Sequence, residues 1–216
     1  MAEEQGESLS IIGDDLFSIV ATDAAHAQRI ATKLRRTGRW LEVVPGMDTV
    51  AVRFDAAHSS HETARAALLL ALAAPADKPA EAPDCIRIPV RYGGSAGPDF
   101  DDVCRQLQLT GQALIALHTS REFRVDMLGF TPGFAYIGGL DEAKSVARLA
   151  TPREFVAAGS VGIAAGQTGI YALPGPGGWP VIGRTSLPMF DASWNPPFRL
   201  YAGARVRFVA AAGLSS

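Results

Sequence analysis

Several things are scarce in this 216-residue chain, and each scarcity removes a class of function. Positive charge is not in excess: 20 Lys and Arg stand against 22 Asp and Glu, a formal net charge of −2, so composition offers no basic face for nucleic acid. No apolar run approaches the roughly 18 residues that a membrane span needs. The longest, Ala67 to Ala74 (ALLLALAA), is short and Ala-rich and reads as a buried helix. Cysteine occurs only at Cys85 and Cys104. The opening MAEEQGESLS is acidic and polar, the opposite of a signal peptide, so the chain is expected to be cytoplasmic and its thiols reduced. Familiar catalytic signatures are missing as well: there is no HExxH, no CxxC and no GxSxG. His58 and His61 are three apart but have no third ligand nearby, and read as a solvated helix start rather than a metal site. His26 falls off the apolar face of its helix and reads as surface.

What is present divides the chain in two. Leu16 to Thr22 (LFSIVAT) reads as a strand, and Asp23 can cap a helix whose Ala27, Ile30, Ala31 and Leu34 form one apolar face, with Gly38 as its stop. Trp40 to Phe54 carries two extended runs around Pro45-Gly46-Met47-Asp48, a hairpin pattern. Ser59 and Glu62 have capping-box spacing ahead of a helix reaching about Ala74. Strand, helix, hairpin, helix is the order of a ferredoxin-like α+β sandwich, assigned to residues 8–76. The Pro/Ala/acidic stretch Pro75 to Asp84 is the expected domain boundary.

The second domain, residues 84–212, begins with a strand at Cys85 to Gly94 (CIRIPVRYGG). Asp99 can cap a helix with Phe100, Val103, Cys104 and Leu107 on one face, and Thr110 a second helix ending near His118. A strand follows at Glu122 to Leu128. More than half of the 22 glycines then fall between Gly129 and Gly183. Within that stretch a helical turn fits only near Arg153 to Ala157, while SVGIA, GIYAL and WPVIG read as short strands, and Arg205 to Ala211 closes the chain as another. The domain therefore reads as mainly β, a barrel with small helices at its start.

One stretch asks for a ligand. GQTGIYALPGPGGWPVIGRT (Gly166 to Thr185) is too rich in Gly and Pro for a helix and too apolar for a linker. Its end, Gly178 to Thr185, approaches a Walker A loop, but Arg184 replaces Lys, Pro180 removes a backbone donor, and Pro188 argues against a following helix. The better reading is a short strand with Arg184 and Thr185 at its polar end. Gln167, Thr168, Tyr171, Arg184 and Thr185 can hydrogen-bond an amide, a carboxylate or a phosphate, and Arg153 lies just upstream. Pro132, Phe134 and Tyr136 in GFTPGFAYIGGL can wall a pocket. A barrel corner that holds no ligand would have the same composition. His118 is open between a functional role and a helix-end cation near the macrodipole.

These segments carry a resemblance. LGFTPGFAYIGGL (Leu128 to Leu140), the run from Ala150 to Thr185, LPMFD (Leu187 to Asp191) and GARVRF (Gly203 to Phe208) are similar to the PxpB/KipI family, also known as allophanate hydrolase subunit 1. YGGSAGPDFDDV (Tyr92 to Val103) and ALHTSREFRVDMLGF (Ala116 to Phe130) fit it too. The resemblance implies a small N-terminal α+β domain followed by a cyclophilin-like β-barrel. It implies a subunit of a bacterial ATP-dependent 5-oxoprolinase, working with a homologous partner of the PxpC (allophanate hydrolase subunit 2) type and a lactam-opening subunit of the PxpA type. Two other roles stay open under it: inhibition of a sensor histidine kinase, and a carboxyltransferase half-subunit acting on urea-like amides. Ala157, Ala165, Ala172 and Gly175 stand where the family more often has Pro, Gly, Pro and Ser.

What the resemblance implies for the residues is this. Arg153 and Arg184 take the phosphate or carboxylate, Gln167 and Thr168 orient the amide, and Phe134 and Tyr136 wall the site. Gly166, Tyr171, Trp179, Thr185 and Pro132 complete it, and His118 is the one histidine offered as an acid–base or positioning group. ATP with Mg²⁺ is the expected cofactor. No carboxylate of the Gly-rich region is an obvious metal ligand; Asp126 and Asp191 are the nearest candidates.

Overall fold

A computed structural model describes residues 8–75, 84–140 and 145–211. The chain divides into two compact units, Met1–Ala82 and Pro83–Ser216. The boundary stretch expected at Pro75 to Asp84 lies, apart from its two ends, outside the described residues.

In the first unit β1 (Leu9–Ile12), β2 (Leu16–Val20), α1 (Ala24–Arg36), β3 (Glu42–Pro45), β4 (Thr49–Arg53) and α2 (His61–Ala73) follow in order. The strands form one antiparallel sheet in the order β1-β2-β4-β3. Alternation in β2 and β4 sends Phe17, Ile19, Val50 and Val52 to one face, where they pack with Ala27, Ile30, Ala31 and Leu34 of α1 and Ala64 and Leu68 of α2. β2, α1, β3, β4 and α2 keep the ferredoxin-like order. The place beside β2 is taken by β1, a strand that periodicity missed because it is only four residues long and largely exposed. Asp23 caps α1 through the His26 amide, as expected. The α2 cap is Ser60 rather than Ser59, accepting from the Thr63 amide. His58 meets Asp55 at the surface, 2.8 Å away, whereas His61 packs edge-on against Phe54 and is not a solvated helix start. His26 is half-buried, its Nδ1 accepting from the Thr22 amide.

The second unit runs β5 (Ile86–Tyr92), a 3-10 turn at Gly94–Ala96, α3 (Phe100–Leu107), α4 (Gly111–Thr119), β6 (Phe123–Leu128), β7 (Ala135–Gly138), β8 (Arg153–Val156), β9 (Ser160–Ala164), β10 (Gln167–Ile170), β11 (Gly175–Gly177), β12 (Val181–Arg184) and β13 (Arg205–Ala210). Arg153 to Ala157, read as a helical turn, is instead a strand paired with β11 in a separate two-stranded sheet. The other strands close into a barrel in the order β10-β7-β6-β13-β5-β12-β9. Seven strands cannot alternate in direction all the way round a ring. One neighbour pair must be parallel, and it is β5 with β13, the first and last strands of the unit. Their inward residues Ile88, Val90, Tyr92, Val206 and Phe208 fill the core with Phe123, Val125, Val161, Ile163, Ile170 and Ile182. Cys104 joins that core from α3, and both cysteines are free.

Strands β9 and β10 are joined through Ala165 and Gly166 alone, at φ +49° and +73°. A two-residue hairpin loop with both residues left-handed favours Gly at both, and Ala165 carries a steric cost there. Ala165→Gly is expected to stabilise the second unit by about 0.5–1 kcal/mol in chemical denaturation. A less stable variant would show that the turn is not strained at Ala165.

Candidate functional site

Arg184 ends β12 with its side chain outward and exposed. Its Nε donates to the Ala158 carbonyl at 2.9 Å, which fixes the guanidinium against the wall of a cavity of about 460 Å³. Thr185, buried beside it, accepts from the Leu187 amide at 3.1 Å. Ser95 and Ser186 add hydroxyls to the lining, and Leu187 to Phe190 form an apolar wall. The floor depends on Gly159: at φ +80° a Cβ there would sit 2.3 Å from the Thr185 carbonyl. A lining of cations and hydroxyls facing apolar side chains suits a small anion with an apolar body.

Arg153 does not reach this cavity's lining. Its two terminal nitrogens pair with both carboxylate oxygens of Asp99, at 2.8 and 2.7 Å. Asp99 opens α3 but makes no side-chain cap. Its Oδ2 also accepts from the Val181 amide at 2.7 Å, so this one buried carboxylate ties α3, β8 and β12 together. The guanidinium that the sequence offered to a phosphate is occupied, and its pKa is raised by the hydrogen bonds to Asp99.

His118 lies in the barrel core, 1% exposed. Thr168 Oγ1 donates to the Gly162 carbonyl at 3.0 Å, so it can only accept from His118 Nε2, also at 3.0 Å. Nε2 then carries the proton and Nδ1 accepts from the Tyr92 hydroxyl at 2.7 Å. Phe208 stacks on the ring at 4.1 Å between centroids. Burial lowers the His118 pKa to about 3 and raises that of Tyr92. The histidine is thus a neutral link in a saturated chain, not the helix-end cation that its position suggested. Thr168, fully buried in the same chain, has its hydroxyl committed.

The aromatic residues meet each other. Phe134 is edge-on to Tyr136, Tyr171 and Trp179 at 4.9, 4.8 and 5.6 Å. Phe134, Tyr171 and Trp179 are buried, and only Tyr136 is half-exposed. Gly177 makes this possible, since a Cβ there would lie 2.2 Å from the Tyr171 hydroxyl. Glycine at this position makes room for a side chain, not for a ligand. Gln167 faces Asp126 at 3.3 Å. Pro132 sits at the exposed tip of a turn closed by the Phe134 amide on the Thr131 carbonyl, and Gly166 in the β9–β10 turn. Asp191 is occupied by Ser193, through backbone and hydroxyl.

The expected residues therefore fall into separate places: a cavity (Arg184, Thr185), a clamp (Arg153), a core chain (His118, Thr168) and an aromatic cluster (Phe134, Tyr136, Tyr171, Trp179) beside Gln167. Sequence reasoning missed Asp99, Tyr92 and Arg91. Arg91 alternates outward between Val90 and Tyr92 in β5, which hydrophobic periodicity could have shown; its place opposite Arg184 is a pairing no local pattern carries. It also missed a run of outward arginines. Arg87 faces Arg207, and Arg124 faces Arg205, on β5, β13 and β6. A near-neutral total charge conceals that stripe.

Below an unfolded-state pKa near 6.5 the unfolded chain takes up a proton that folded His118 refuses. Stability from this group should fall by about 1.4 kcal/mol per pH unit from about pH 6.5 down toward its folded pKa. NMR should show the His118 ring as the Nε2–H tautomer, unprotonated at pH 5; a normal titration would contradict the saturated chain. Separately, Arg153→Ala should cost about 2–3 kcal/mol in chemical denaturation, because it strands the Asp99 carboxylate, and Arg153→Lys should restore little.

Known proteins share both the sequence and the barrel. Residues 9–200 match the family model described as carboxyltransferase domain, subdomain C and D. The chain is 47% identical over 124 residues to the PxpB subunit of 5-oxoprolinase from Bacillus subtilis (strain 168), an alignment covering 57% of this chain and 52% of that protein. The chain thus spans about half the length of the curated relatives it matches. The crystal structure of TTHA0988 superposes with a TM-score of 0.79 at 34% identity, over 93% of this chain and 41% of that one. The K. lactis urea amidolyase superposes with a TM-score of 0.72 at 17% identity, over 95% of this chain and 15% of that one, which shows a shared fold.

Proposed function

Because the chain belongs to the carboxyltransferase domain, subdomain C and D family, we propose that it is a subunit of an ATP-dependent 5-oxoprolinase, opening 5-oxoproline to glutamate with partner subunits. The observation that carries this reading is the 47% identity to the Bacillus subtilis 5-oxoprolinase subunit over 124 residues.

Opening an unstrained lactam is uphill near neutral pH, so nucleotide hydrolysis must drive it. The lactam oxygen attacks the γ-phosphorus and ADP leaves. Water then adds to the activated carbon, and the ring C–N bond breaks with a proton passing to nitrogen, leaving an acyl phosphate. A second water releases phosphate and the glutamate side chain. Such chemistry needs positioning and charge stabilisation more than a covalent residue. Arg184 and Thr185 are placed to hold an anionic group of the substrates in the cavity. His118, Thr168 and Tyr92 keep β10 and β5 in register behind it, as positioning residues. Arg153 acts through Asp99, holding β12 and hence Arg184.

Among the described residues no group of three or more His, Cys, Asp or Glu side chains could hold a metal ion. The donor set does not fit Mg²⁺, and no step above uses it. Nucleotide and metal contacts then fall to partner subunits of the PxpC and PxpA type, with the site completed in the assembly. No helix among the described residues is long and apolar enough to cross a membrane.

The test is 5-oxoproline-dependent ATP hydrolysis by the chain alone and with its partner subunits. Activity only in the mixture is the expected result. No activity in a properly assembled mixture would overturn the reading, and carboxyl transfer from a biotinylated carrier would be the next assay. In the active mixture Arg184→Ala should lower kcat/KM by more than tenfold; a smaller loss would remove Arg184 from the site.

A further inference from the structure

Arg184 has a partner that the proposed reaction has not yet used. In the β5–β12 ladder it stands directly opposite Arg91. Like charges directly opposite across a strand pair repel. Neither guanidinium is in an ion pair among the described residues. Other opposed arginines lie on the barrel wall, but Arg205 is answered by Glu122 at 3.3 Å. Arg91 and Arg184 differ because both line the same cavity, with the hydroxyls of Ser95, Thr185 and Ser186 around them. Thr185 accepts from the Leu187 amide, and its own proton has no acceptor among the described residues. The cavity thus presents donors without matching acceptors on one side and Leu187, Pro188, Met189 and Phe190 on the other.

We propose that Arg91 and Arg184 together hold the carboxylate of the lactam substrate, with the ring lying on the apolar wall. This rests on the oxoprolinase reading above. The shared chemistry is a small oxyanion between two guanidinium groups, for which two forks converging on one anion are the strong geometry. Arg87, Arg124, Arg205 and Arg207 extend the cationic stripe along the neighbouring strands and raise the local concentration of anions at the cavity mouth. A compact ring fills only part of about 460 Å³. The remaining volume leaves room for a phosphoryl group arriving at the lactam oxygen.

The experiment compares wild type, Arg91→Gln and Arg91→Lys in the assembled mixture, varying 5-oxoproline at saturating ATP. Arg91→Gln should raise the KM for 5-oxoproline about tenfold or more while leaving the KM for ATP within about twofold, and Arg91→Lys should recover part of the loss. An active wild-type mixture in which Arg91→Gln has a normal KM for 5-oxoproline would sink this inference and leave the oxoprolinase reading standing. A raised KM for ATP alone would also overturn it, by giving the arginine pair to the phosphoryl donor. If the wild-type mixture is inactive the oxoprolinase reading fails, and the full chain decides the pocket by NMR of the arginine Nε–H signals. Shifts of Arg91 and Arg184 with 5-oxoproline, but not with 2-pyrrolidinone, which has the ring without the carboxylate, support it. No shift with 5-oxoproline, or a shift with inorganic phosphate alone, overturns it.

Discussion

A ring of seven strands needs one parallel contact, and here β5 and β13 supply it. The rest of the second unit follows from that closure. With β13 on one side, β5 has one free edge, and β12 occupies it. That placement sets Arg184 opposite Arg91 and brings the Gly93 amide onto the Ile182 carbonyl, 3.1 Å away. The cavity is a by-product of ladder register: shifting β12 by one residue would turn Arg184 into the core and Ile182 out of it.

Inside the ring, apolar packing has no direction of its own, and a polar chain supplies one. Tyr92 of β5, His118 of α4 and Thr168 of β10 are joined end to end and finish on the Gly162 carbonyl of β9. Each member has one arrangement of protons that satisfies all the others, so the chain tolerates one alignment of these elements and penalises the rest. Asp99 has a similar effect at the rim. It gives up the helix cap that its position offers and uses its oxygens on Arg153 and the Val181 amide.

Much of the architecture could be read from the chain, because local periodicity and caps encode it. The α1 face, the Asp23 and Thr110 caps and the alternation in β5 and β13 all appear where local patterns put them. Errors came where local signals are weak or ambiguous: β1 is short, Arg153 to Val156 carries no clear period, and Ser59 and Ser60 compete for one cap. The site was harder to read. Composition identified residue types able to bind an anion or an amide, but not which ones would be occupied by other protein groups. Arg153 and Arg184 are equivalent on paper; Asp99 separates them, from 54 positions away along the chain. Phe134, Tyr171 and Trp179 look like a pocket wall because aromatic side chains that pack on each other and those that pack on ligands have the same composition.

The joining of β5 to β13 also has a bearing on synthesis. A ribosome delivers β5 first, and its parallel neighbour emerges only when nearly the whole unit has been made. Until then the edge of β5 that will receive β13 has no partner, and the barrel has a seam. Contacts so distant in sequence are slow to form and leave an open strand edge in the meantime. The nascent chain must keep that edge from pairing with a neighbour until its last strand arrives.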